Sequence, residues 1–240
     1  FDEEGRHLES RPLRAGTYHA FVIAQDGTAY VPVEGGLPRP TDPIEIVGFW
    51  TRVAPDGETD RLRPFSLVER QGPSYALQGR GGPYRPFTVM TLATMGPDGS
   101  YYEVRNDTYR IRHVHPDGGE TFITRQEPRI AVSADEVQEW ETRSEDFARR
   151  QGRVRSSFFP IPQQKPYIRS LLTDVDGRLW VSRYTEAEYV PYSESEAADR
   201  AERGLPSFNW RDRRSWDGYA ADDTYLGAVT LPQTTTLATA

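Results

Sequence analysis

The stretch YIRSLLTDVDGRLWVSR, Tyr167–Arg183, holds an apolar run, an Asp-Gly pair and a second β-prone run carrying Trp180. Asp-Gly joins strands tightly because the central residues of a two-residue turn need positive φ, which Asp and Gly tolerate. Tyr167–Val175 and Arg178–Arg183 therefore read as the two arms of a β-hairpin. The same signal recurs along the chain, at Asp2-Glu3-Glu4-Gly5, Asp26-Gly27, Pro55-Asp56-Gly57, Pro97-Asp98-Gly99 and Pro116-Asp117-Gly118. Ala221-Asp222-Asp223-Thr224 reads as a degenerate version. So many hairpins in one chain predict antiparallel β-sheet.

The turns alternate between two kinds. One joins an apolar run to an aromatic-bearing strand: Ala20–Gln25 to Thr28–Val33, Phe87–Met95 to Ser100–Val104, and Tyr167–Val175 to Arg178–Arg183. The other joins more polar strands: Glu45–Val53 to Thr59–Phe65, Tyr109–His115 to Thr121–Arg125, and Trp216–Ala220 to Tyr225–Leu231. An apolar hairpin followed by a polar one makes a four-stranded meander with buried inner and half-wet outer strands. Repeated four-stranded sheets predict an all-β fold of propeller blades. The expected organisation is a single incomplete β-propeller domain: a partial blade 1–13, blades 14–66, 79–128 and 160–232, and the start of another at 233–240. A helical insertion is expected at 133–152, where Ser133 and Glu136 form a capping box and Val137, Trp140 and Phe147 fall near one face. Inside the third unit, Ser193 and Glu196 predict a second short helix ending at Gly204.

The run Asp174-Val175-Asp176-Gly177-Arg178-Leu179-Trp180-Val181 resembles the inner hairpin of bacterial six-bladed β-propellers of the NHL/SMP-30-like superfamily. Trp216-Asp217 with Tyr225-Leu226-Gly227 is similar to the outer hairpin that follows it. Tyr30, Tyr101 and Tyr102 depart from the motif by standing where it has Trp. The resemblance implies six blades in all, so three whole ones and two partial ones are expected to be an arc of a longer chain, roughly 350–400 residues at typical blade size.

Composition excludes several classes. The 240 residues include 28 aromatics (5 Trp, 13 Tyr, 10 Phe), which argues against disorder despite 36% hydrophobic content. Mean hydropathy is −0.71, and no apolar run approaches the ~18 residues that suggest a membrane span. With 36 acids, 29 bases and a net charge of −7, nucleic acid is not an expected partner. Zero cysteines exclude thiolate chemistry and Cys-ligated metals. Phe1 is not an initiator methionine and no signal peptide is visible, so an upstream segment is expected, with a periplasmic or extracellular location and a lipid anchor as one route there.

Propeller sites gather where inner strands begin and at the crossovers on the same rim. The rim candidates for ligand binding are Tyr18, His19, Tyr84, Arg85, Lys165, Tyr167, Arg183 and Tyr184. Glu103, Asn106 and Asp107 combine the ligand types by which SMP-30-like lactonases hold a divalent cation (Ca, Mg or Zn), although Asn-Asp is also an ordinary turn dipeptide. His113 and His115, two apart on a strand, point to one face and are a possible zinc pair with a third ligand from elsewhere; the plainer reading is a half-exposed strand end. Asp174 is expected to accept turn amides, and Trp180, Tyr101 and Tyr30 to pack between blades. The first functional expectation is a noncatalytic propeller presenting a Tyr/Arg-rich rim to a polar ligand, carbohydrate or protein. The alternative is a metal-dependent hydrolase or lactonase.

Overall fold

A computed structural model describes residues 22–34, 44–70, 86–87, 89–150, 161–205 and 209–232. The first sheet is β1 (Val22–Ile23), β2 (Ala29–Glu34), β3 (Ile44–Val53) and β4 (Thr59–Arg70). The second is β5 (Thr91–Met95), β6 (Tyr101–Arg105), β7 (Arg110–Val114) and β8 (Glu120–Thr124). Helix α1 (Ala134–Arg150) follows. The third sheet starts with β9 (Ile168–Thr173) and β10 (Leu179–Arg183). An excursion of β11 (Ala187–Tyr189), α2 (Glu194–Glu202) and β12 (Trp210–Asp212) interrupts it, and β13 (Arg214–Tyr219) and β14 (Tyr225–Leu231) complete it. All three are antiparallel meanders in chain order, and β11 pairs with β12 as a separate ribbon.

Five hairpin corners lie where the Asp-Gly signals put them; the signal at Asp2-Glu3-Glu4-Gly5 falls outside the described residues. In each, the glycine has φ between 77° and 93°, at Gly27, Gly57, Gly99, Gly118 and Gly177. The preceding aspartate usually caps the turn: Asp26 accepts from Thr28 N at 2.8 Å and Asp98 from Ser100 N at 2.9 Å. Asp174 accepts from the Asp176 and Arg178 amides, as its sequence position predicts, and also from Trp180 Nε1, which was not expected.

Strand alternation shows how the sheets are arranged. On one face of the second sheet, Met95, Tyr101 and Val114 cluster with Ala24, Tyr30 and Trp50 of the first. On its other face, Tyr102, Val104, Tyr109, Ile111 and Ile123 cluster with Ile168, Leu179, Val181 and Tyr219 of the third. The middle sheet is thus buried from both sides, and the three sheets form a stacked, propeller-like all-β array. First strands β5 and β9 lie side by side, tied by Thr173 Oγ1 donating to the Met95 carbonyl. The residue in register with Tyr30 and Trp180, three after the turn glycine, is Tyr102 and not Tyr101. Tyr30 and Tyr102 both face the following sheet, whereas Tyr101 faces the preceding one.

Helix α1 begins with the expected capping box, Ser133 N donating to Glu136 Oε2 at 3.0 Å and Glu136 N to Ser133 Oγ at 3.2 Å. Among its described side chains the buried ones are polar: Glu139, Ser144 and Asp146. Glu139 accepts from Trp210 N at 2.5 Å and pairs with Arg143 and Arg211, so the helix docks on the β11–β12 ribbon through charge. In α2 the Ser193–Glu196 capping box is complete, and Gly204 stands beyond the helix at φ 62°.

Candidate metal centre

Tyr109, just before β7, and Ile111 and His113 on it share the face that meets the third sheet. His113 is 1% exposed. Its ring stacks on Tyr102 with centroids 4.1 Å apart, and the His115 ring lies 4.0 Å away on the same side. The expectation of a half-exposed strand end is therefore corrected for His113, because the third sheet covers it. His115, just past the strand end, keeps partial exposure.

The third sheet contributes Asp223, from the degenerate turn between β13 and β14. Asp223 has φ 68°, the left-handed conformation that glycine takes in the other corners. Its Oδ1 lies 2.7 Å from His113 Nδ1, and its Oδ2 accepts from the Thr121 hydroxyl at 2.6 Å. Thr121 Oγ1 is in turn 3.1 Å from His115 Nε2. A carboxylate only accepts, so His113 carries its proton on Nδ1 and Thr121 donates its only one to Asp223. His115 Nε2 then donates to the Thr121 oxygen.

The ligating atoms of His113, His115 and Asp223 all lie within 4.8 Å of one another. A tetrahedral zinc sphere has edges of about 3.3 Å for ordinary Zn–N and Zn–O lengths, so the three would have to draw together to share one ion. Burial pushes the His113 imidazole below its ordinary value of 6.5, against the upward pull of the Asp223 carboxylate. His113 is therefore neutral at physiological pH, the form that ligates metals. Its Nε2 is buried and has no hydrogen-bond partner among the described residues, so with the proton on Nδ1 its lone pair is available to a ligand. Two imidazoles and a carboxylate suit zinc or a similar transition ion; Ca and Mg prefer all-oxygen shells. Thr121 is exposed and the Asp223 side chain partly so, which leaves the cluster open to solvent on one side.

This cluster sits at the hairpin-turn end of the sheets, opposite the end where first strands begin. Of the rim candidates, Tyr18, His19, Tyr84 and Arg85 lie outside the described residues. Lys165 is fully buried between Glu136 at 2.6 Å and Asp212 at 2.7 Å, and also donates to the Thr185 carbonyl. Arg183 pairs with buried Asp217 at 3.2 Å, Tyr184 packs edge-on against Phe87, and Arg129 lies over the Tyr167 ring. Glu103 accepts from the Tyr101 hydroxyl at 2.7 Å, and Asp107 pairs with Arg105. Asn106 is a buried pin: its Oδ1 accepts from Met90 N and its carbonyl from Tyr167 N.

Sequence reasoning identified the two histidines but missed Asp223. The available signal was its place: a side chain where the repeated corners have glycine. Comparison with known proteins gives no assignment, since no family model matches the chain and no curated protein sequence matches it.

Proposed function

We propose that this protein is a metal-dependent hydrolase of propeller-like architecture, with a zinc-type cation held by His113, His115 and Asp223. The carrying observation is the convergence of these three ligands from two sheets, with the His113 imidazole buried and neutral. A three-ligand ion keeps a coordination position for water, lowers that water's pKa towards neutrality and polarises a carbonyl. The chain's own part is to hold the ligands. Tyr102 fixes the His113 ring by stacking, and the Asp223 corner brings the carboxylate across from the third sheet. Thr121 presents a hydroxyl beside the solvent-facing side, where its remaining lone pair can accept from a water.

The resemblance to the NHL/SMP-30-like superfamily supports the reaction class, hydrolysis of an ester or lactone. The cation belongs at the turn end of the sheets and not in a central channel. Rim binding without catalysis is the weaker reading, because the four described rim candidates are engaged in internal contacts.

Calorimetric titration of the purified protein with Zn²⁺ tests the proposal. Saturable single-site binding is expected, lost in Asp223→Gly and weakened at least about tenfold in His115→Ala. Ester or lactone hydrolysis should disappear on chelation and return with Zn²⁺. No binding to the unaltered protein, or binding indifferent to both substitutions, refutes it.

A further inference from the structure

Around the proposed metal centre the hairpin corners of the second and third sheets come together. A Cβ built on Gly177 would lie 3.5 Å from the Ala221 side chain and 4.0 Å from that of Pro97, so three corners touch there. The four corners, 96–99, 115–118, 174–177 and 220–223, hold six aspartates and no lysine or arginine.

Each metal ligand has an exposed aspartate of this set beside it. Asp222 precedes Asp223 in the chain. Asp117 flanks His115: a Cβ built on Gly119 would lie 3.1 Å from Asp117 Oδ1 and 3.8 Å from the His115 ring. Asp98 reaches His113 through its field; burial dominates the titration of that imidazole, but the Asp98 charge pulls it upward. The turns occupy one oxygen of each carboxylate. Asp98 accepts from Ser100 N at 2.9 Å, Asp117 from Gly119 N at 2.8 Å and Asp222 from Thr224 N at 3.1 Å. The base that directly follows a corner, Arg178, is taken by Asp176 at 2.9 Å and Asp174 at 3.6 Å. Among the described residues no basic group pairs with Asp98, Asp117 or Asp222.

We propose that Asp98, Asp117 and Asp222 make this site selective for cationic substrates, small esters or lactones that carry an ammonium group. The proposal rests on the hydrolase reading. His113 Nε2, on a side chain 1% exposed and without a partner among the described residues, points to a ligand here, and the aspartates decide what charge may accompany it. A Zn²⁺ beside one carboxylate ligand retains a single positive charge, which three further carboxylates outweigh. A carbonyl at the ion therefore has the rest of its molecule in a negative field that draws in an ammonium and repels a carboxylate. Because these aspartates are exposed, added salt weakens the selection.

Two measurements test this. Paramagnetic relaxation by small nitroxides bearing an ammonium, a neutral amide or a carboxylate reads the local potential at the Gly118, Gly119 and Thr121 amides, with or without turnover. At low salt the ammonium nitroxide should relax them about threefold more than the carboxylate one. That ratio should approach unity when Asp98→Asn, Asp117→Asn and Asp222→Asn are combined; asparagine keeps the turn-capping oxygen and suits these corners. Removing as many charges from α2, by Glu194→Gln, Asp199→Asn and Glu202→Gln, should leave it unchanged. With zinc bound, kcat/KM for acetylcholine should exceed that for the neutral ester in which carbon replaces its nitrogen by about tenfold at low salt. The asparagine variant and high salt should each abolish this advantage. A nitroxide ratio near unity overturns the proposal, as does a ratio that the α2 variant lowers equally. So does hydrolysis with no preference for the cation, which leaves the hydrolase reading standing. If zinc binds and no ester is cleaved, the hydrolase reading fails, and the nitroxide ratio alone decides whether the site selects cations.

Discussion

At position 223 an aspartate takes a backbone conformation, φ 68°, that the equivalent corners leave to glycine. A non-glycine residue there costs about 1 kcal/mol or more, and the compensation lies across the sheet interface. The carboxylate satisfies the buried His113 Nδ1–H and the Thr121 hydroxyl. Bonds to a charged acceptor contribute about 1.5–3 kcal/mol each, and stranding a buried imidazole proton costs a further 1–3 kcal/mol or so. Asp223→Gly should therefore lower stability by about 2 kcal/mol despite the relaxed turn, whereas Asp222→Ala at its exposed neighbour should cost less. Denaturant titration of the metal-free protein distinguishes the two; a stabilised Asp223→Gly would mean that strain outweighs the cross-sheet bonds. The sequence marks this corner as degenerate without saying why. Strand alternation likewise places His113 and His115 on one face, but it cannot say what covers that face. The Asp223 partner is 110 residues away in the chain, so His113 reads as half-exposed until the sheets are stacked.

Among the elements, those with local causes were readable and those with distant causes were not. The hairpins of the four-stranded sheets follow from Asp-Gly corners, degenerate at Asp222-Asp223, and from β-prone runs, and both helices from Ser-x-x-Glu capping boxes. The β11–β12 ribbon carries no such signal: each strand has three residues, and twenty separate Tyr189 from Trp210. The face of Val137, Trp140 and Phe147 does not announce how α1 docks, because Glu136 and Glu139 carry the ionic contacts described for it. Lys165, the sequence's sole lysine, was expected on a ligand-binding rim and is instead the ionic bolt between α1 and the ribbon. Its three partners, Glu136, Asp212 and the Thr185 carbonyl, match the three donors of an ammonium group. Lys165→Met keeps the apolar stem but leaves two nearly buried carboxylates uncompensated. The expected loss is about 3–5 kcal/mol, with faster hydrogen exchange concentrated in α1 and in 185–213. Glu136→Gln, which removes one charge and keeps an acceptor, should cost much less. Equal losses in the two variants would place the energy in packing and not in charge.

For the molecule as a whole, docking of the second and third sheets rests on a core that includes buried tyrosines. Tyr102 stacks on His113, while the Tyr109 hydroxyl donates to buried Asp217 at 2.6 Å and lies 3.0 Å from that of Tyr219. Asp217 also holds Arg125 at 2.9 Å and Arg183 at 3.2 Å, so aromatic rings and ion pairs fasten the same interface. Burial, first of all, pushes the phenols of Tyr102, Tyr109 and Tyr219 above their ordinary value of 10.0; the Asp217 carboxylate adds to this at Tyr109. In the unfolded chain these phenols ionise near 10.0, whereas the folded protein keeps them protonated. Their contribution is therefore complete below that pH and declines as pH rises through it, because the unfolded state loses protons that the native state retains. Denaturant midpoints measured from about pH 9 to about pH 12 should fall steeply, with phenolate absorbance appearing together with the loss of structure. Tyr109→Phe removes the most strongly shifted phenol and should flatten that fall while lowering stability at neutral pH, since Asp217 loses a donor. A fall in the midpoint equally steep in Tyr109→Phe would show that the interface does not feel its tyrosines as a unit, and that the sheets are held chiefly by the aliphatic contacts of Ile111, Leu179 and Val181.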